Sequence, residues 1–179
     1  TIDMGGTSAD VALVKDGMLQ TSTGARINNQ PLALPIIDIH TIGAGGGSIA
    51  SVAKNGAILV GPESAGATPG PAAYNQGGLR PTVTDANLIL GRIPPHLLGG
   101  SVPLDEKAAY KAVDEFVAKP LGTNVIEASL GIIKIVNETM HGALKLMSVE
   151  RGLNPADFVL TAFGGAGPVH GGDLMRLLS

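Results

Sequence analysis

Asp3-Met4-Gly5-Gly6-Thr7-Ser8-Ala9-Asp10 and Ala162-Phe163-Gly164-Gly165-Ala166-Gly167-Pro168 are the stretches that decide the fold. The first lies between the end of one strand and the start of the next. Its paired glycines let a turn approach a phosphate and leave backbone N–H groups facing it. Thr7 and Ser8 add hydroxyl donors, and Asp3 suits a magnesium ion or its water, because hard cations prefer carboxylate oxygen. A plain polar β-turn is the competing reading, weakened by the acids Asp3 and Asp10 on either side. The second stretch follows Phe158 to Ala162, which reads as a buried strand, and opens a helix with Pro168 in its first turn. Gly164 and Gly165 permit a flat ring to lie on the backbone, and the helix N-terminus favours an anion. The alternative is a tight strand–helix turn that needs glycine for packing alone.

The elements between them read as follows. Ala9 to Val14 is a strand, Asp16-Gly17 a tight turn and Met18 to Thr21 the return strand. Pro35 to Ile42 is a third strand, in which Asp38 and His40 share one face. That pair suits a metal or substrate contact, or a hydrogen-bonded polar face. The run Gly43-Ala44-Gly45-Gly46-Gly47-Ser48 reads, taken alone, as a flexible glycine loop. Ile49 to Ala53 and Ala57 to Val60 form a second hairpin through Asn55-Gly56. Gly61 to Thr82 is a long loop of the kind that is functional or mobile. Thr84 or Asp85 caps a short helix ending at Leu90, and Asp85 is read as a capping residue rather than a catalytic acid.

Residues 105–119 form an amphipathic helix capped by Asp105, with Ala109, Val113, Phe116 and Val117 on one face. Residues 124–151 form a helix of roughly 40 Å. A capping box of Asn124 and Glu127 starts it, and Ile132, Ile133, Val136, Met140, Ala143, Leu144 and Met147 make its apolar stripe. Glu138 and His141 are half of a metal-binding pattern whose second half is absent, so they read as a solvated or packing face. His170 is assigned no role. The fold class is α/β, with a mixed sheet, β-hairpins and flanking helices. Three segments divide the chain: strands at 1–42, a glycine-rich insertion at 43–104, and helices with the second glycine turn at 105–179.

Composition narrows the function. Glycine supplies 26 of the 179 residues, about twice its usual ~7% share. Thirteen of the 26 fall between Gly43 and Gly100. The formal net charge is −3 with scattered basic residues, against nucleic-acid binding. Cysteine is absent, which excludes disulfides, zinc ribbons and a thiol nucleophile. No apolar run reaches a membrane span and no signal peptide is present, so the expected location is cytoplasmic. The opening Thr1 reads as the cut edge of a longer protein.

The motifs occur in an ordered series that resembles the hydantoinase A/oxoprolinase family. The series runs Asp3 to Ser8 with Asp10-Val11, Ile42 to Ala50, Val60-Gly61-Pro62, Ser64 to Ala67, Pro69-Gly70-Pro71, Thr82 to Leu88, Glu150-Arg151-Gly152 and Ala162 to Pro168. The family includes ATP-dependent hydantoinases, 5-oxoprolinases and ketone carboxylase subunits. The resemblance implies one lobe, the second, of a truncated actin-like ATPase (ribonuclease H-like) fold, with ATP between two lobes. It implies ATP and Mg2+ as cofactors. Asp3, Gly5, Gly6, Thr7 and Ser8 would face phosphates and magnesium, with Asp3 and Asp10 as catalytic acids. Gly164, Gly165 and Ala166 would approach adenosine. The implied chemistry is phosphorylation of a cyclic amide oxygen, then attack by water at the activated carbon. Implied partners are the protein's own N-terminal lobe and a second subunit of a hydantoinase-type complex. Ser51, Ala53 and Ala73 depart from the family pattern (an aromatic, an acid and a cysteine there), which bears on the substrate rather than on ATP.

Two rivals share the ATP motifs: a carboxylase subunit acting on a ketone enolate or bicarbonate, and a non-catalytic actin-like nucleotide-binding lobe. A Rossmann dehydrogenase is disfavoured, because the first glycine turn leads into a strand and not a helix.

Overall fold

Alternation in the first strands sets the sheet. The computed structural model describes residues 1–23, 26–27, 30–31 and 34–179. Strand β1 (Ile2–Met4) returns through the Gly5–Ser8 turn as β2 (Ala9–Ala12), with Asp3 opposite Asp10. β3 (Ile39–Ile42) lies antiparallel beyond β2 and pairs Thr41 with Asp10 and His40 with Val11. Ile2, Met4, Ala9 and Val11 are buried on one face. A period of two therefore sends Asp3, Asp10 and Thr41 to the other.

The two sequence-predicted hairpins are present. Val14–Lys15 pairs with Met18–Leu19 through Asp16 and Gly17, at φ 53° and 74°. Two positive φ values are what a two-residue hairpin turn requires. The second hairpin joins β4 (Ser48–Val52) to β5 (Ile58–Ser64) around Gly56. The expected strand from Pro35 is split. Ile36–Ile37 pairs with Thr21–Ser22, the Asp38 N–H donates to the Gln20 carbonyl at 2.9 Å, and β3 begins only at Ile39.

Helix α1 (Val83–Ile89) has its cap two residues before the earlier of the two expected ones. Thr82 is its N-cap, and Asp85 completes a capping box from the third helical position. Asp105 caps α2 (Glu106–Val113), accepting from the Ala108 N–H at 2.9 Å. The expected single helix then widens into a π-helical turn at Asp114–Ala118 before Lys119–Leu121. Pro120 has no N–H to donate and crowds the carbonyl four residues back, and the wider turn accommodates it. The extra residue rotates the face. Phe116 is 39% exposed while Ala112, Val117 and Ala118 are buried.

Helix α3 (Val125–Met147) carries the expected stripe, every member of it buried. Asn124 accepts from the Glu127 N–H at 2.9 Å, but the Glu127 carboxylate takes the Thr123 hydroxyl, so only half of the capping box forms. The helix ends before Arg151: the Ser148 hydroxyl donates to the Leu144 carbonyl at 2.7 Å, and a short 3-10 turn leads to Gly152 at φ 75°. The predicted buried strand at Phe158–Ala162 is also shorter than expected. Only β6 (Ala162–Phe163) forms, parallel to β1, and Val159 is 88% exposed. The sheet order is β6-β1-β2-β3. Helix α4 (Gly167–Leu178) follows, and α3 and α4 cover the buried face of the sheet.

Candidate functional site

The three glycine turns meet at one end of the sheet. Gly46 N–H donates to the Gly5 carbonyl at 2.9 Å and Gly47 N–H to the Gly6 carbonyl at 2.6 Å. The middle turn, which the sequence suggests is flexible, is thus laid along the first. A Cβ on Gly45 would come within 2.6 Å of Gly6 and Thr7 backbone atoms. On the other side, Ala166 N–H donates to the Met4 carbonyl at 2.9 Å, and Gly164, at φ 83°, abuts the Asp3 carboxylate. A side chain at Gly164 would fill the space that Asp3 occupies.

The carbonyls of Gly5 and Gly6 are tied down by these bonds. Among the described residues, no acceptor is bonded to the N–H of Gly6, Thr7 or Ser8. Gly6 and Thr7 are exposed. Such a row of unpaired N–H groups is a seat for an anion. Beside it, Asp3 and Asp10 face each other across β1 and β2, and the Thr41 hydroxyl donates to Asp10 Oδ1 at 2.5 Å. Sequence reading overlooked Thr41. The alternation that puts Asp38 and His40 on one face puts Thr41 on the other, which was the available signal. Among the described residues, no group of three or more His, Cys, Asp or Glu could hold a metal by itself. Two adjacent carboxylates match magnesium, which is usually held by one or two carboxylates together with substrate phosphates.

The weaker candidates lie elsewhere. Asp38 is at the opposite end of β3 and forms an ion pair with Arg151. His40 faces Val11, on the side covered by α3. His141 meets Glu138 at 3.4 Å on the exposed side of α3. A cavity of about 880 Å³ is lined by apolar side chains such as Val11, Leu144, Leu160 and Met175, away from these carboxylates.

Two buried polar groups hold the turns in place. Asp85 accepts from Ala73 N at 2.8 Å, Ala72 N at 3.3 Å, and Thr82 N and Oγ1 at 2.8 and 2.7 Å. Burial raises its pKa, and these hydrogen bonds oppose the rise. One turn of the same helix binds the middle glycine turn: Thr84 N and Oγ1 donate to the Gly46 carbonyl at 2.7 and 2.9 Å. His170, fully buried on α4, lies between Asn137 Oδ1 at 2.7 Å and Asn87 Nδ2 at 3.2 Å. The amides fix its roles: Nδ1 donates to the Asn137 oxygen and Nε2 accepts from Asn87. Burial, then the nearby Arg92 charge, lower its pKa to about 4, with Asp173 opposing, so it is neutral near pH 7. The His170 network was not legible because its members come from three distant helices.

The hydantoinase/oxoprolinase family model matches residues 1–178. The chain belongs to the hydantoinase/oxoprolinase family. Caprolactamase subunit alpha of Pseudomonas jessenii is 47% identical over 178 residues, which is 99% of this chain and 25% of that protein. The crystal structure of the ATP-dependent caprolactamase from Pseudomonas jessenii superposes with a TM-score of 0.90 at 45% identity, over 99% of this chain and 26% of that one. The nucleotide-free acetone carboxylase structure gives 0.89 at 34% identity, over 99% of this chain and 25% of that one. The fold is therefore the mixed α/β lobe of this family, and the chain spans about a quarter of the length of these relatives.

Proposed function

We propose that the chain is part of an ATP-dependent hydrolase that opens cyclic amides of the hydantoin, oxoproline or lactam kind. The observation that carries this reading is the convergence of the Gly5–Ser8 and Gly164–Ala166 turns on the Asp3 carboxylate, in a chain 47% identical to a caprolactamase subunit. The N–H groups of Gly6, Thr7 and Ser8 bind the phosphates of ATP. Asp3 and Asp10 hold magnesium or its water, with Thr41 fixing the Asp10 carboxylate. The Gly164–Ala166 turn lies against the adenosine, with open space beside Gly165. ATP, when bound, supplies the phosphoryl group that turns a poor amide electrophile into a reactive one. The chain's own contribution is positioning and charge stabilisation, the usual basis of phosphoryl-transfer catalysis.

The rest of the protein supplies the facing lobe, and a second subunit completes the enzyme, as the name "subunit alpha" indicates for the caprolactamase. A cytoplasmic location fits this chemistry. A carboxylase subunit is the second reading, favoured by the acetone carboxylase superposition. Substrate-stimulated ATPase activity of the full-length protein separates the two. Stimulation by hydantoin, 5-oxoproline or caprolactam is expected. Stimulation only by acetone with bicarbonate would transfer the assignment to the carboxylases, and none by either set would leave a non-catalytic nucleotide-binding lobe.

A further inference from the structure

The end of β5, where the glycine- and proline-rich segment begins, reaches the first glycine turn through one side chain. Ser64, the last residue of β5, directs its hydroxyl at Thr7 Oγ1, 3.5 Å away. Its oxygen already accepts the Gly66 N–H at 3.1 Å. The hydroxyl proton is thus its free group, and its acceptor in the structure is distant and weak. Two bonds hold this geometry: Ala65 N–H donates to the Gly47 carbonyl at 2.8 Å, and Gly47 N–H donates to the Gly6 carbonyl at 2.6 Å. A Cβ on Gly47 would meet Gly6 O at 2.9 Å and Ser64 Oγ at 3.1 Å. Glycine at 47 is what allows the Ser64 turn and the Gly6 turn to approach each other from opposite sides.

We propose that Ser64 is a ligand of the terminal phosphoryl group of ATP, resting on the nucleotide reading of the Gly5–Ser8 turn. An anionic oxygen seated on the N–H groups of Gly6 to Ser8 would lie beside the Thr7 hydroxyl, and the Ser64 proton would turn from Thr7 to that oxygen. Hydrogen bonds to charged acceptors are about twice as strong as neutral ones, so the exchange is favourable. The end of β5 would then carry a group that distinguishes the triphosphate from the diphosphate.

Titration of the full-length protein with adenylyl imidodiphosphate and, separately, with ADP tests this for wild type, Ser64→Ala and Ser64→Thr. Ser64→Ala is expected to weaken the triphosphate analogue about tenfold and to leave ADP unchanged, the loss of one charge-assisted hydrogen bond. Ser64→Thr, which retains a hydroxyl, restores most of that loss. Equal weakening of both nucleotides would mark Ser64 as structural and overturn the proposal, as would no change in either. A wild-type protein that binds neither nucleotide would overturn the nucleotide reading itself and this proposal with it, an outcome read before any variant is made.

Discussion

Gly45→Ala is the sharpest perturbation of the packed turns. A Cβ there meets Gly6 C, Gly6 O and Thr7 C, each at 2.6 Å, and all three are backbone atoms that cannot rotate away. Gly45 is not among the glycines with positive φ, so alanine is allowed by its own backbone and the strain comes only from the contact. Reaching ordinary contact at 3.4 Å requires the Gly6–Thr7 segment to move by about 0.8 Å, an overpacking that costs ~1–3 kcal/mol. Lower entropy of the unfolded chain offsets ~0.4–1 kcal/mol of this. Net destabilisation of about 1–2 kcal/mol leaves the protein folded. Misplacing a positioning element by ~1 Å costs up to ~100-fold in rate, so kcat/KM for ATP should fall by roughly 10- to 100-fold in steady-state ATPase assays. Gly46→Ala is the control. Its Cβ meets the Thr84 Oγ1 at 2.9 Å, a side-chain atom that can rotate with the loss of one hydrogen bond. Its effect should be only a few-fold. Wild-type kinetics in Gly45→Ala, or equal losses in the two variants, would refute the packing of the middle turn against the first.

Other variants probe the frame around the turns. Gly142→Ala, in the exposed interior of α3 with nothing within 4 Å of the added Cβ, should raise the unfolding free energy in urea by ~0.5–1 kcal/mol through helix propensity. Asp85→Asn keeps one oxygen against four donors and brings an NH2 group towards N–H groups, so a loss of ~2–4 kcal/mol in the same assay is expected. His170 gives a pH signature. Its pKa is about 4 in the folded protein against an ordinary 6.5, so the unfolded chain takes up the proton first as pH falls. The associated stability is whole above pH ~6.5 and is lost progressively towards pH ~4, by about 3 kcal/mol in all. Unfolding free energies of wild type minus His170→Gln, measured at pH 7 and pH 4.5, should show that difference shrinking. A pH-independent difference would place the histidine in a solvated site.

Local chemistry was legible and long-range packing was not. Asp16-Gly17 and Asn55-Gly56 announce their hairpins because the turn conformation is built into the dipeptide. The α3 stripe from Ile132 to Met147 is read from its period, and Asp105 and Asn124 from their capping chemistry. Phe116 misleads because the helical period is counted through a π-helical turn that accommodates Pro120 four residues later. Val159 misleads because apolarity alone does not supply a strand with a pairing partner. At the site, the turns at Gly5 and Gly164 can be recognised one at a time. The hydrogen bonds that bring Gly46 and Gly47 onto Gly5 and Gly6 span about forty residues and leave no local signal. The same holds for Asn87, Asn137 and His170, polar residues on otherwise apolar helix faces, which become one network only after α1, α3 and α4 pack.

A crystal structure of the full-length protein with magnesium and a non-hydrolysable ATP analogue tests the central claim most directly. The account predicts phosphate oxygens on the N–H groups of Gly6, Thr7 and Ser8, the metal or its water at Asp3 and Asp10, and the adenine ring against Gly164 to Ala166. A nucleotide bound elsewhere in the protein, with these two turns facing only solvent or protein, would contradict it.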